Sequence, residues 1–184
     1  MVELDRRRAL RRTAGLAALA GGLALITSTF LGWITTPMQS GGTTSVSGWG
    51  TISGGSDLVD GVNLNTLMAG MGSYRPAVPV VIVGAVTVIP ALVLAVTGPG
   101  ARPRRIVGAI LVVCGAVATV WSLAKVIAPG DALGVLPEGE HSAGFGPMLA
   151  TVAGLVILAA GAVAVLGLLD PPERVAPRGI QPRR

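Results

Sequence analysis

Four long apolar segments separated by polar ones dominate the chain. They cover residues 14–34, 77–97, 106–127 and 147–169. A helix needs about 20 apolar residues to cross the hydrocarbon core of a bilayer, and each segment is long enough. The sequence therefore predicts an all-α integral membrane protein with four transmembrane helices. The predicted segments between and around them are a tail at 1–13, loops at 35–76, 98–105 and 128–146, and a tail at 170–184.

Composition agrees with a membrane protein and sets other classes aside. Charged residues make up 12% of the chain, against about 25% in soluble domains. The single cysteine, Cys114, excludes an intramolecular disulfide. Because no catalytic, metal-ligand or phosphate-binding motif appears, we expect neither enzyme activity nor a cofactor. The arginine-rich tails lack interleaved aromatic residues, so nucleic acid is not an expected partner.

Basic residues are divided unevenly between the two sides of the predicted bundle. Twelve of the 14 lie in the two tails and in the 98–105 loop, whereas Arg75 and Lys125 belong to the other side. Since the cytoplasmic side of membrane proteins is enriched in Lys and Arg, both termini are predicted to be cytoplasmic. Thirteen arginines against one lysine suggest a high-GC genome and hence a bacterial plasma membrane. Four aromatic residues are predicted to anchor the other side among lipid headgroups: Trp33, Tyr74, Trp121 and Phe145.

Small residues recur at intervals of seven in each predicted span. Seven residues are two turns of a left-handed supercoil, so each series forms one stripe along its helix. In lipid, such stripes let helix backbones approach closely. The spacing predicts an antiparallel left-handed four-helix bundle, although a stripe facing a partner protein remains an alternative. The glycines expected at helix contacts are Gly15, Gly22, Gly84, Gly108, Gly115, Gly154 and Gly161.

The first outer loop contains two candidate elements. Residues 43–53 alternate apolar and polar positions around Gly48-Trp49-Gly50 and predict a β-hairpin. Residues 64–71 carry apolar side chains at helical spacing and predict an amphipathic element lying on the bilayer or on the bundle. Exposed apolar groups outside the spans tend to mark contact sites. The candidate partner contacts are therefore Trp49, Leu64, Leu67, Met68 and Met71. Anchoring of Trp49 among lipid headgroups is the alternative.

Two families share these features. The Gly48-Trp49-Gly50 segment in a long first loop resembles claudin-like tetraspans, whose loop disulfide this chain cannot form. Trp33, the loop with Trp49 and the arginine-rich C-terminal tail make the chain similar to uncharacterised four-span membrane proteins of high-GC Gram-positive bacteria, including those encoded near tryptophan-biosynthesis genes. This second resemblance implies a membrane location and no known activity.

The sequence predicts a functional class but no specific activity. No ionisable residue lies near the middle of a span, which disfavours a substrate or proton site at the midplane. We expect a non-enzymatic accessory or scaffold subunit of a larger membrane or envelope complex. Its expected partners are membrane lipid and either another membrane protein or further copies of the chain. The alternative is a small transporter or lipid-handling protein that acts as an oligomer.

Overall fold

The computed structural model describes residues 2–38, 42–54, 58–68, 74–96, 101–129 and 141–168. In this part the chain is mostly helical and also contains a small β-sheet. The elements in chain order are α1 (Val2–Ser28), β1 (Gly32–Pro37), β2 (Thr43–Ser47), β3 (Ile52–Ser53), α2 (Leu64–Leu67), α3 (Ala77–Val96), α4 (Ala101–Ile127), β4 (Ser142–Ala143) and α5 (Phe145–Val165). The tail at 170–184 lies outside the described residues.

Four of the described helices are long and apolar enough to cross a membrane. The spanning segments are Arg8–Ser28, Ala77–Val96, Arg104–Ile127 and Phe145–Val165. They point to a multi-pass membrane protein, as hydropathy predicts. The four segments overlap the four apolar runs of the sequence but differ from them at several ends. Helix α1 begins at Val2 and its spanning segment at Arg8, so most of the predicted tail at 1–13 is helical, and α5 covers Phe145–Val165 rather than 147–169.

Two of these differences concern the end of the first span and the start of the third. The first span was predicted to reach residue 34, but α1 ends at Ser28, and the amides of Thr29 and Phe30 donate to the carbonyls three residues earlier. Such tight bonds are typical of a final helical turn. At the other difference, α4 begins at Ala101 rather than at 106, so Arg104 belongs to a helix and is buried.

Helices α4 and α5 pack antiparallel to each other through glycine. A Cβ added at Gly108 would lie 2.8 Å from Ala164 Cβ, whereas one added at Gly154 would lie 2.6 Å from Thr119 Oγ1. The contacts therefore run in opposite directions along the two helices. Gly115 and Gly161 lie in the same seam, against the backbones of the facing helix. There is no room for a side chain at these positions.

Helices α1 and α3 form a second antiparallel pair. A Cβ at Gly15 would lie 2.6 Å from the Ala95 nitrogen, and one at Gly22 would lie 3.2 Å from the Gly84 carbonyl oxygen. Helix α1 also contacts α5, because a Cβ at Gly21 would lie 2.7 Å from Ile157 Cγ1. All seven glycines expected at helix contacts thus face a neighbouring helix of the same chain. The left-handed sense of the bundle stays a prediction.

A four-stranded antiparallel sheet stands at one end of the bundle, in the order β3-β2-β1-β4. The residues predicted as a hairpin form β2 and β3, whereas β1 and β4 were not predicted. Strand β1 follows α1 after a short turn, and a single residue, Gly144, separates β4 from α5. Together with α2, the sheet forms a unit that we call the cap, comprising the described residues from 32 to 76 and 142–143.

Two clusters of buried apolar side chains hold the helices and the cap. The first fills the helix bundle and includes the completely buried Leu25, Leu94, Leu111 and Ile157. The second lies inside the cap, where one face of the sheet is covered by α2 and the segment that precedes α3. Its members are Ile34, Val46, Ile52, Leu64, Met68 and Tyr74. Burying these side chains provides the main driving force for ordering the cap.

Candidate functional site

Trp33 fastens the cap to the helix bundle. Its side chain is 1% exposed and belongs to the bundle cluster, although the residue lies in β1. The indole Nε1–H donates to the Ser28 carbonyl oxygen over 2.9 Å. Gly48 and Gly146 provide the space, because a Cβ at Gly146 would lie 2.6 Å from Trp33 Nε1. The prediction that Trp33 contacts lipid headgroups is wrong, since its ring is enclosed by protein.

The turn between β2 and β3 is held between the end of α1 and the start of α3. Trp49 is partly buried, and its Nε1–H donates to Thr29 Oγ1 over 3.1 Å. The Gly48 amide donates to the Thr29 carbonyl, and the Ala77 amide donates to the Gly48 carbonyl. The Trp49 ring also lies 6.4 Å from the Phe30 ring, centre to centre. Trp49 was predicted at a hairpin tip, and there its ring contacts the residues that follow α1, while the neighbouring Gly48 bonds the first residue of α3.

Two asparagines connect the cap with the chain that enters α3. Asn65 Oδ1 accepts from the Tyr74 amide over 2.6 Å, and its Nδ2 donates to the Tyr74 carbonyl over 3.1 Å. The same Nδ2 also reaches the Trp49 carbonyl. Asn63 caps α2 by accepting from the Asn65 amide. Sequence reasoning missed this pair, although an asparagine just before an apolar helical run is a helix N-cap signal.

The predicted partner face is only partly exposed. Leu64 and Met68 are buried in the cap because α2 covers the apolar face of the sheet, so their assignment as partner contacts is wrong. Leu67, on the same helix, is 57% exposed. Met71 lies outside the described residues. Leu58, which the sequence reasoning did not select, is almost fully exposed. Among the described residues of the cap, Leu67 and Leu58 are therefore the exposed large aliphatic side chains.

The other three predicted membrane anchors differ in how far their side chains are exposed. Tyr74 is buried in the cap, so headgroup contact by its ring is also a wrong prediction. Burial raises the pKa of the Tyr74 phenol above its ordinary value, so the group stays neutral. Phe145 and Trp121 are 65% and 37% exposed, respectively. Both positions are compatible with lipid contact, and their anchoring role stays a prediction.

The second face of the sheet carries hydroxyl groups. Thr35 pairs with Ser45 on one side and Ser142 on the other, and Ser45 pairs with Ser53. Because side chains at directly paired positions point to the same face of a sheet, these four residues form one row across all four strands. The row is polar and uncharged. It lies opposite the face formed by the buried apolar residues of the cap.

The described residues contain no group of three or more His, Cys, Asp or Glu side chains placed to hold a metal ion. His141 Nδ1, just before β4, lies 3.0 Å from Thr36 Oγ1 of β1.

Comparison with known proteins yields no family for the chain. No protein-family model matches it, and no curated protein matches it either. The resemblance to four-span proteins of high-GC Gram-positive bacteria therefore stays a prediction.

Proposed function

We propose that the protein is a non-enzymatic accessory or scaffold subunit of a larger complex in a bacterial plasma membrane. The observation that carries the proposal is the attachment of the cap to three helices. Trp33 joins the cap to the end of α1 and to Gly146 of α5, and the Gly48 carbonyl accepts from the first residue of α3. A surface on such a unit keeps a fixed position relative to the spans, which is what a docking platform requires.

The charge distribution supports an extracytoplasmic cap. Helices α1 and α4 both begin with arginines, and both begin at the end of the bundle opposite the cap. Arg11 in α1 lies close enough to Arg104 in α4 for the two charges to repel each other. By the positive-inside rule, this arginine-rich end belongs on the cytoplasmic side together with both termini. The cap then faces outward and meets partners there.

The helix contacts favour a scaffold over the alternative of a small transporter. Glycine seams bring α4 against α5 with no space for a side chain, and they bring α1 close to α3, most tightly at Gly15. The buried or half-buried hydroxyls of Thr87 and Thr119 bond carbonyl oxygens of their own helices, at 2.8 and 2.7 Å. Hydroxyls used in this way do not form a polar path between helices. A transporter would have to build its path from several copies.

Purification from native membranes tests the proposal. The tagged protein, extracted directly into lipid nanodiscs, is expected to carry a second protein at fixed stoichiometry, measured by native mass spectrometry. Leu67→Arg places a charge on the exposed apolar side of the cap and should lower partner occupancy at least about tenfold, a difference of about 1.4 kcal/mol. Ser53→Arg, on an exposed position of β3, is the matched control and should retain the partner.

Three results would count against parts of the proposal. A homo-oligomer without a second protein would favour the transporter or lipid-handling alternative. A monomer without any partner would contradict the subunit proposal. A partner that is retained at wild-type stoichiometry by Leu67→Arg would place the contact outside this side of α2.

A further inference from the structure

A groove lined by Arg75 and Lys125 lies where α3 begins and α4 ends. Its volume is about 530 Å³, its walls include Tyr74, Pro76, Pro79 and Trp121, and its two basic residues are Arg75 and Lys125. These two are the basic residues that the chain carries outside its arginine-rich segments. They are far apart in the sequence, and the packing of α3 against α4 brings them to one place.

The aromatic wall of this groove is held in place by a hydrogen bond to the segment that precedes α3. Trp121, in α4, donates its Nε1–H to the Pro76 carbonyl just before α3, over 3.1 Å. Lys125 Nζ lies 5.2 Å from the centre of the Trp121 ring, a cation–π distance that keeps the ammonium group beside the groove. Arg75 is exposed at the rim. The groove thus offers two cations next to an apolar wall.

A second, apolar groove continues from the first along α4. Its volume is about 430 Å³, and it is lined by Ala116, Val117, Val120, Trp121 and Ala124. Trp121 lines both grooves, so the two lie next to each other at this side chain. At about 1.5 Å per residue, the apolar groove extends roughly 7.5 Å from Trp121 to Ala116. This direction leads from the end of the Arg104–Ile127 span towards its middle.

We infer that the two grooves together bind one anionic phospholipid. Its phosphate lies between Arg75 and Lys125, where charge-assisted hydrogen bonds are available. One acyl chain lies along Val117 and Val120, against the apolar wall. Free phosphate has the same headgroup chemistry but leaves the apolar groove empty, and a lipid without net charge does not balance two cations. This lipid site is independent of the scaffold proposal, because it uses no residue of the partner surface.

Photo-crosslinking locates the lipid on the protein. The full chain in phosphatidylcholine nanodiscs receives a trace of phosphatidylglycerol with a photoreactive group on its acyl chain. We expect the crosslinks to map to residues 116–124 of α4. Unlabelled phosphatidylglycerol should displace the probe, whereas additional phosphatidylcholine and inorganic phosphate should not.

Two variants separate the headgroup contact from the chain contact. The double variant Arg75→Gln/Lys125→Gln should lower the crosslinking yield at residues 116–124 about tenfold or more, because it removes both charges near the headgroup. Ala124→Trp should also lower the yield by filling the apolar groove, without changing the charge. Arg6→Gln removes a charge at the opposite end of the molecule and serves as the control. Thermal midpoints of all variants verify that they are folded.

Three outcomes would overturn the lipid site. Equal crosslinking of a phosphatidylcholine probe, or a yield unchanged in the double variant, would mean that ordinary annular lipid contacts α4. Displacement by inorganic phosphate would identify an anion site that does not require a lipid. Crosslinks that map away from residues 116–124 would place the acyl chain elsewhere.

Discussion

Replacing Gly115 by leucine is expected to separate α4 from α5 and to lower the thermal midpoint of the purified protein strongly. A Cβ at Gly115 would collide with the backbone of Leu158 and would lie 2.8 Å from the Gly154 carbonyl oxygen. Backbone atoms on a facing helix cannot rotate away as a flexible side chain does. The helices must therefore move apart and lose van der Waals contacts along the seam. Overpacking of this kind costs about 1–3 kcal/mol, and sometimes more.

Two further variants make the Gly115 prediction specific. Gly115→Ala should already destabilise the protein, because the first added carbon meets the backbone. Ala109→Leu enlarges an exposed residue of the same helix and should leave the midpoint unchanged. The midpoints are measured by thermal scanning in mild detergent. A wild-type midpoint for Gly115→Leu would mean that this glycine faces lipid and that the α4–α5 seam is wrong.

Replacing Trp33 by alanine is expected to cost about 3–5 kcal/mol of unfolding free energy, the range for truncating a large buried aromatic side chain. Trp33 is the largest of the fully buried side chains, and it fills the junction between cap and helices. Its loss should also release the cap, so that protease cleavage within residues 43–53 becomes faster. Both the unfolding free energy and the cleavage rate are measured on the purified protein.

Trp33→Phe and Phe145→Ala provide the comparison for this variant. Trp33→Phe retains most of the ring but removes the indole hydrogen bond to the Ser28 carbonyl, which still accepts from the Leu31 amide, so the loss is about 0.5–1.5 kcal/mol. Phe145→Ala removes an exposed ring and should change stability little. If Trp33→Ala behaved like Phe145→Ala, the buried junction would be refuted and the tryptophan would have to contact lipid, as its position in the sequence suggests.

Hydropathy predicts the four spans well but misplaces the end of the first. Residues 29–34 are mostly apolar, so they read as the continuation of a helix. The Trp33 ring is instead enclosed by protein, because Gly48 and Gly146 leave space for it. Both glycines are distant from Trp33 in the sequence. Strand β4 has only two residues, too few for a periodic pattern, and its pairing with β1 depends on the fold of the whole chain.

In the candidate site, too, some features follow from the sequence pattern and others depend on the tertiary structure. The helical spacing of Leu64 and Met68 is real, but spacing alone does not tell whether the apolar side faces a partner or a sheet. Glycine spacing indicated which positions contact other helices, yet not which helix each would meet. Likewise, the charge tally put Arg75 and Lys125 on one side, whereas their shared groove depends on how α3 packs against α4.

Labelling of single cysteines in intact cells tests most directly whether a folded cap lies outside the membrane, opposite the arginines. On a Cys114→Ser background, the positions are Ser53, exposed on the cap, Val46, buried inside it, and Arg6, exposed at the opposite end. With a membrane-impermeant maleimide, Ser53→Cys should react in intact cells and Arg6→Cys only after permeabilisation, whereas Val46→Cys should react only after denaturation. If Arg6→Cys but not Ser53→Cys reacted in intact cells, the orientation would be the reverse of the one proposed. If Val46→Cys reacted as fast as Ser53→Cys, the cap would not be folded.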